Sequence, residues 1–169
     1  MLSRRGVIFF RCVERKVQNT MRPIKQLAAL PFVFSENGTV RVCLITSRDT
    51  GRWIVPKGWP KKGAASHEQA AYEAYEEAGL QGRIGKKSIG RYGYLKRLDD
   101  GSEVKCVVSV FALLVERQAK KWPEQEERRK LWVAPETAVD LVDDQELAAV
   151  IRSFQPQMKA WSSLEATSL

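Results

Sequence analysis

Residues 53–80 read WIVPKGWPKKGAASHEQAAYEAYEEAGL, and the reading of this stretch decides the fold. Trp53-Ile54-Val55, closed by Pro56, predicts a short strand. Lys57 to Ala65 predicts a loop, because Gly58, Pro60 and Gly63 interrupt regular structure. Ser66 suits an N-cap, with Gln69 three residues on completing a capping box. A helix then runs to Gly79, which suits the left-handed position after a helix end. Glu73, Glu76 and Glu77 stand at i, i+3 and i+4 and so share one face. Like charges at those spacings repel by roughly 0.2–0.5 kcal/mol per pair. Nothing local offsets this, since 66–80 holds four glutamates and neither Lys nor Arg. The opposite side, with Ala71, Ala74, Tyr75 and Ala78, is small and apolar, fit to pack on a sheet. Two readings suit the carboxylates: a solvated acidic face, or ligands for a hard divalent cation such as Mg²⁺, which prefers oxygen donors.

Gly58, Glu73, Glu76, Glu77, Gly79 and Leu80 together resemble the Nudix box. That pattern is a glycine, five residues, a glutamate, seven residues, then Arg-Glu-apolar-any-Glu-Glu-any-Gly-apolar. The spacing holds across Gly58–Leu80 in a strand–loop–helix context. Two positions depart from it: Ala64 stands for the first glutamate and Tyr72 for the arginine, an acid and a base lost together. The resemblance implies an α+β fold, a Nudix-type α/β/α sandwich around a mixed sheet. It also implies a metal-dependent pyrophosphohydrolase using Mg²⁺, with Mn²⁺ as an alternative ion. Glutamates at the positions of Glu73 and Glu77 would ligate the metal, and Glu76 is the candidate base for the attacking water. The Lys57–Gly58 backbone lies where a carbonyl ligand could come from. Glu124, Glu126 and Glu127 are candidates for a further acid.

Outside the box the likeness narrows. Lys25 before an Ala-Ala strand, Ser47-Arg48, Arg52-Trp53-Ile54-Val55-Pro56, and Arg128-Arg129-Lys130-Leu131-Trp132-Val133 resemble the diphosphoinositol polyphosphate phosphohydrolases and their bacterial relatives. Basic residues at the positions of Lys25, Arg48 and Arg128 would then contact a polyphosphorylated substrate. Ser47, Arg52 and Lys57 are further substrate-binding candidates. Lys61 and Lys62 either neutralise phosphates or are merely solvated. Pro-Lys-Gly-Trp-Pro at 56–60 replaces the glycine-rich run of that group. The implied substrate is a diphosphoinositol polyphosphate or a dinucleoside polyphosphate. Alternatives are an RNA 5′-end pyrophosphohydrolase and a non-catalytic polyphosphate- or RNA-binding domain.

The bulk numbers fit one soluble domain: 169 residues, 44% apolar and 28% charged. Apolar runs fall short of the roughly 20 residues that span a bilayer, so no membrane partner is expected. Of the net charge of +8, residues 1–30 supply +6 through seven basic residues and one acid. A nucleic-acid partner for the domain itself is therefore not favoured. Cys12, Cys43 and Cys106 form no C-x-x-C pair, which argues against zinc or a disulfide framework and for reduced thiols in a cytoplasmic compartment. One histidine, His67, leaves no histidine triad. Nothing in the sequence sets an oligomeric state.

Three segments follow: a basic extension over 1–22, with Met21 a candidate for the true start; a domain over 23–155; and a polar tail over 156–169. Within the domain, 25–34 and 40–46 predict strands joined by the turn at 35–38. Ser47 to Arg52 predicts a polar loop in which Arg48 and Arg52 either pair with Asp49 or reach a phosphate. Residues 81–98 and 104–115 predict a long hairpin turning at 99–102, and the second arm reads as a central strand. A charged loop over 120–130 leads to a strand at 131–133. Pro135 opens a helix through Leu141. Asp143 or Asp144 caps a last helix with Leu147, Val150, Ile151 and Phe154 on its apolar face. The tail from Gln155 is expected to fray.

Overall fold

The computed structural model describes residues 22–157 and 160–161. Cys12, Met21 and nearly all of the basic extension lie outside those residues. A mixed sheet runs in the order β3-β2-β1-β6-β5. Its strands are β1 (Ile24–Phe34), β2 (Val40–Thr46), β3 (Trp53–Ile54), β5 (Leu80–Arg97) and β6 (Glu103–Gln118). β4 (Lys57–Gly58) pairs with β1, and β7 (Lys130–Val133) pairs with β2. β1 and β6 are parallel; the other pairings are antiparallel. α1 (Ser66–Ala78) covers one face. α2 (Pro135–Leu141) and α3 (Gln145–Ser153) cover the other. This is the expected α/β/α sandwich.

Strand alternation divides the core. On β1, Ala28, Leu30 and Phe32 pack with Val108, Val110, Leu147 and Ile151 on the α2/α3 side. Leu27 and Ala29 pack with Ala70, Ala74, Phe111 and Leu113 on the α1 side. Nearly continuous apolar runs in β1 and β6 follow from burial on both faces. The hairpin is β5–β6, with β6 interior as its composition demands.

Four details differ from the sequence reading. The strand after Arg52 ends at Ile54, and the loop that follows opens with a two-residue strand at Lys57–Gly58. The cap of α1 is Ala65, in extended conformation with no side-chain cap bond; Ser66 is already helical, so there is no capping box. Gln69 is instead buried and turned onto Glu73. The buried stripe of α1 is Ala70, Ala74 and Ala78 together with Glu73 and Glu77, so two carboxylates lie on the packed side rather than opposite it. Finally, most of the tail lies outside the described residues, but within it Trp161 stacks edge-on against Phe32 at 4.9 Å, and the Arg83 guanidinium donates to its carbonyl. Gly79 does end α1 in the left-handed region, at φ 70°. Asp144 caps α3, accepting from the N–H groups of Glu146 and Leu147 at 3.0 Å each.

Candidate active site

β4 is short, yet it sets the site. Its pairing, Leu27 with Gly58 and Ala28 with Lys57, brings that backbone against α1. The Lys57 N–H donates to Glu77 Oε2 at 2.9 Å. A Cβ on Gly58 would stand 2.2 Å from the Glu73 carboxyl carbon, so only glycine leaves room for that side chain. Gln69 Nε2 donates to Glu73 Oε1 at 2.6 Å.

Residues 119–129 are pinned to the end of α1 and bring Glu124 and Arg128 into the cavity lining. Ala119 N–H donates to the Gly79 carbonyl (2.8 Å), Glu124 N–H to the Glu76 carbonyl (3.0 Å), and Lys130 Nζ to the Ala78 carbonyl (2.9 Å). The last supplies the cation that the end of α1 lacks in its own sequence. This loop places Glu124 and Arg128 beside Glu77. Arg128 donates from Nη2 to Glu77 Oε1, from Nε to Glu124 Oε2 (2.6 Å) and from Nη1 to the Thr46 carbonyl (3.0 Å). Farther out, Arg48 Nη1 lies 3.4 Å from Glu124 and 3.2 Å from Glu127.

Burial governs the ionisation of these groups. It pushes Glu77 up to about 7, against the pull of Arg128 and of the Lys57 amide. It raises Glu73 too; the Gln69 bond opposes this and the Glu76 charge adds to it. Lys57 is lowered by burial, with Glu77 opposing.

These groups line a cavity of about 990 Å³. Glu73, Glu76, Glu77 and Glu124 form an acidic wall. Arg48, Arg52, Lys57, Lys61, Lys96, Arg97 and Arg128 supply cations; Asp49, Asp99, Asp143 and Asp144 add further acids, and Trp53, Trp59, Tyr94 and Gln26 are also in the lining. Among the described residues, nothing pairs with the Glu76 carboxylate, and no three acidic, histidine or cysteine side chains are gathered into a ready cation cage. Convergence of three carboxylates is therefore not the arrangement observed. Glu73 is turned onto Gln69 and Glu77 onto Arg128. The donor chemistry nonetheless fits a hard divalent cation. The donors are all oxygen, and two of them, Glu73 and Glu77, are buried carboxylates.

Of the sequence candidates, Glu73, Glu76, Glu77, Lys57, Gly58, Ser47, Arg48, Arg52 and Arg128 line the cavity. Ser47 Oγ bridges Thr50 Oγ1 (2.7 Å) and the Arg52 N–H (3.2 Å). Arg48 pairs with Glu124 and Glu127 and not with Asp49. Lys25 does not reach the cavity. It is exposed, and alternation along β1 sends its neighbour Gln26 inward instead. Arg128, expected on the substrate, is held by carboxylates with 6% of its side chain exposed. Of the three candidate acids outside the box, Glu124 lines the cavity, Glu127 binds Arg48, and Glu126 is exposed. Sequence reasoning missed Gln26, Gln69 and Tyr94, whose hydroxyl donates to Gln26 Oε1 at 2.6 Å. The signal available for Gln26 and Gln69 was a polar residue at a position whose periodicity buries it.

An α/β/α sandwich with a carboxylate-bearing helix beside a cation-lined cavity has known counterparts. The family model for the NUDIX domain matches residues 24–154. Nudix hydrolase 16, mitochondrial, of Arabidopsis thaliana is 36% identical over 110 residues, covering 63% of this chain and 61% of that protein. Nudix hydrolase 21, chloroplastic, of the same plant is 27% identical over 143 residues, covering 80% and 68%. The chain spans 56–68% of the length of these two and of Nudix hydrolase 4. Among solved structures, the C. elegans Ap4A hydrolase binary complex has a TM-score of 0.57 at 17% identity, covering 86% of this chain and 99% of that one. The NUDIX domain of Shewanella oneidensis NrtR complexed with ADP ribose also scores 0.57, at 16% identity, covering 85% and 90%. Both carry the fold alone. The chain belongs to the NUDIX domain family.

Proposed function

We propose that this protein hydrolyses a phosphoanhydride bond in a highly phosphorylated small molecule, a diphosphoinositol polyphosphate or a dinucleoside polyphosphate, with a divalent cation. One observation carries the reading: the glutamates of α1 and a set of cationic side chains line one and the same cavity. Phosphoryl transfer asks little covalent chemistry of a protein and depends on positioning and on stabilising charge. Glu73, Glu77 and Glu76, with a backbone carbonyl of Lys57 or Gly58, would hold Mg²⁺ or Mn²⁺. When bound, that ion supplies charge stabilisation on the transferring phosphoryl group. Glu76 suits the base that orients and deprotonates water, since its carboxylate is otherwise unclaimed. Arg48, Arg52 and Lys57 would neutralise the phosphate chain, and Ser47 would hold Arg52's backbone in place. The buried, free Cys43 and Cys106 suit a reducing compartment, of which the cytoplasm is one. No helix among the described residues is long and apolar enough to cross a membrane.

A second reading, an RNA 5′-end pyrophosphohydrolase, draws on Trp59. It is 43% exposed at the cavity, with Lys96 Nζ 4.9 Å from its ring centroid. An aromatic ring beside a cation is a surface on which a base stacks. The test is turnover with and without Mg²⁺ on a panel of diadenosine polyphosphates, inositol pyrophosphates and triphosphorylated RNA. Glu76→Gln should lower turnover on the true substrate by about 10²–10⁴-fold, the usual worth of a general base. Full activity in both Glu76→Gln and Glu77→Gln defeats the assignment.

A further inference from the structure

The partner of Glu77 suggests how this site is kept in order without its ion. The Glu77 carboxylate is 7% exposed, and both its oxygens are taken, one by the Lys57 amide and one by Arg128. A buried carboxylate without a counter-charge is costly. α1 supplies no counter-charge itself. Tyr72 points outward with 43% exposure, and the cation nearest its ring, Lys61 at 3.9 Å, is directed to that aromatic face. The guanidinium that neutralises Glu77 arrives from outside the helix, 51 residues along the chain. It does not depend on Glu77 alone, because Glu124 and the Thr46 carbonyl hold its Nε and Nη1. It can release one carboxylate and remain satisfied by the other. A guanidinium and a divalent ion on one carboxylate would repel at short range in a site sheltered from water, where like charges interact most strongly.

From this geometry, and resting on the reading that a divalent cation binds the glutamate wall, we infer that Arg128 is a built-in counter-cation. It occupies Glu77 in the ion-free protein and yields that carboxylate when the divalent ion binds, keeping its hold on Glu124 and Thr46. Arg128 is thus a positioning residue that sets the affinity of the site for its ion.

The test is Mn²⁺ binding to the full chain by calorimetry or by the electron-spin resonance of the free ion, with no substrate present. The unfolding midpoint is followed with and without Mn²⁺. Arg128→Gln removes the competitor. It should bind Mn²⁺ at least five-fold more tightly than the wild type, and Mn²⁺ should raise its midpoint by more. Arg128→Lys keeps a charge but cannot span Glu77, Glu124 and Thr46. It should fall between the two, and it serves if Arg128→Gln does not fold. Mn²⁺ binding in the wild type with no gain in either variant, or with a loss, overturns this inference and leaves the hydrolase reading intact. No Mn²⁺ binding in any of the three proteins overturns both.

Discussion

Gly58→Ala is the substitution whose consequences the structure sets most closely. The added Cβ would stand 2.2 Å from the Glu73 carboxyl carbon and Oε2, and 2.4 Å from Oε1. Ordinary contact begins near 3.4 Å, so the carboxylate must retreat by about 1.2 Å. The backbone at 58 is not in the left-handed region, so alanine brings no conformational strain there. The obstructing atoms belong to the end of a side chain and can swing away. The main structural loss is the Gln69–Glu73 bond of 2.6 Å, about 1 kcal/mol net. For a chain of this size that lowers the unfolding midpoint by about 2–4 °C. A displacement of roughly 1 Å at the reacting centre costs about 10²-fold in rate. Gly58→Ala should therefore stay folded with nearly the wild-type midpoint and lose about 100-fold in turnover. Gly63→Ala is the control on the same loop. Its φ of +85° makes alanine strained, and nothing lies within 4 Å of the new methyl. It should cost about 1–2 kcal/mol in stability with turnover unchanged. The assay is phosphate release from a diadenosine polyphosphate with Mg²⁺, run beside thermal unfolding. Full turnover in Gly58→Ala would refute the reasoning, as would a loss no larger than its unfolded fraction.

Other outcomes follow from neighbouring contacts. Asp144→Ala removes two cap bonds from α3 and should cost about 0.5–2 kcal/mol, whereas Ser66→Ala removes no cap bond and should leave stability unchanged within about 0.5 kcal/mol; chemical denaturation measures both. Trp161→Ala should lower stability by about 1–2 kcal/mol through loss of its edge-on contact with Phe32 and its buried area; an unchanged midpoint would mean that this contact contributes nothing. Burial raises the Cys43 thiol from 9.0 to about 12. A value raised on folding means that the thiol's contribution to stability is complete below pH 9 and is lost as pH climbs toward 12. Thiol labelling in a Cys12→Ser background should accordingly stay slow in the native protein from pH 8 to 10 and be fast in urea.

The box residues were legible in the sequence because their spacing and chemistry are local. Three glutamates on one helical turn, a glycine ahead of them and a glycine after need no tertiary information. The strands were legible where burial on both faces leaves apolar runs, as in 104–115. Long-range pairing was hidden. The sequence cannot show that β4 would pair with β1 and so bury Glu73 and Glu77 beside the apolar stripe of α1. It cannot show that Arg128 would meet a carboxylate 51 positions earlier. Lys25 and Gln26 differ by one residue, and one step on a strand exchanges the cavity for solvent. Ser66 failed as a cap because the chain turns helical one residue earlier, a boundary that cap statistics place only loosely.

The central claim is that the acidic wall of α1 holds a divalent ion, and anomalous diffraction from crystals soaked in Mn²⁺ tests it most directly. The account predicts a single strong peak within coordination distance, roughly 2.0–2.6 Å, of carboxylate oxygens of Glu73 and Glu77, with Arg128 withdrawn from Glu77. A map without a peak at that wall, with Arg128 still seated on Glu77, would contradict it.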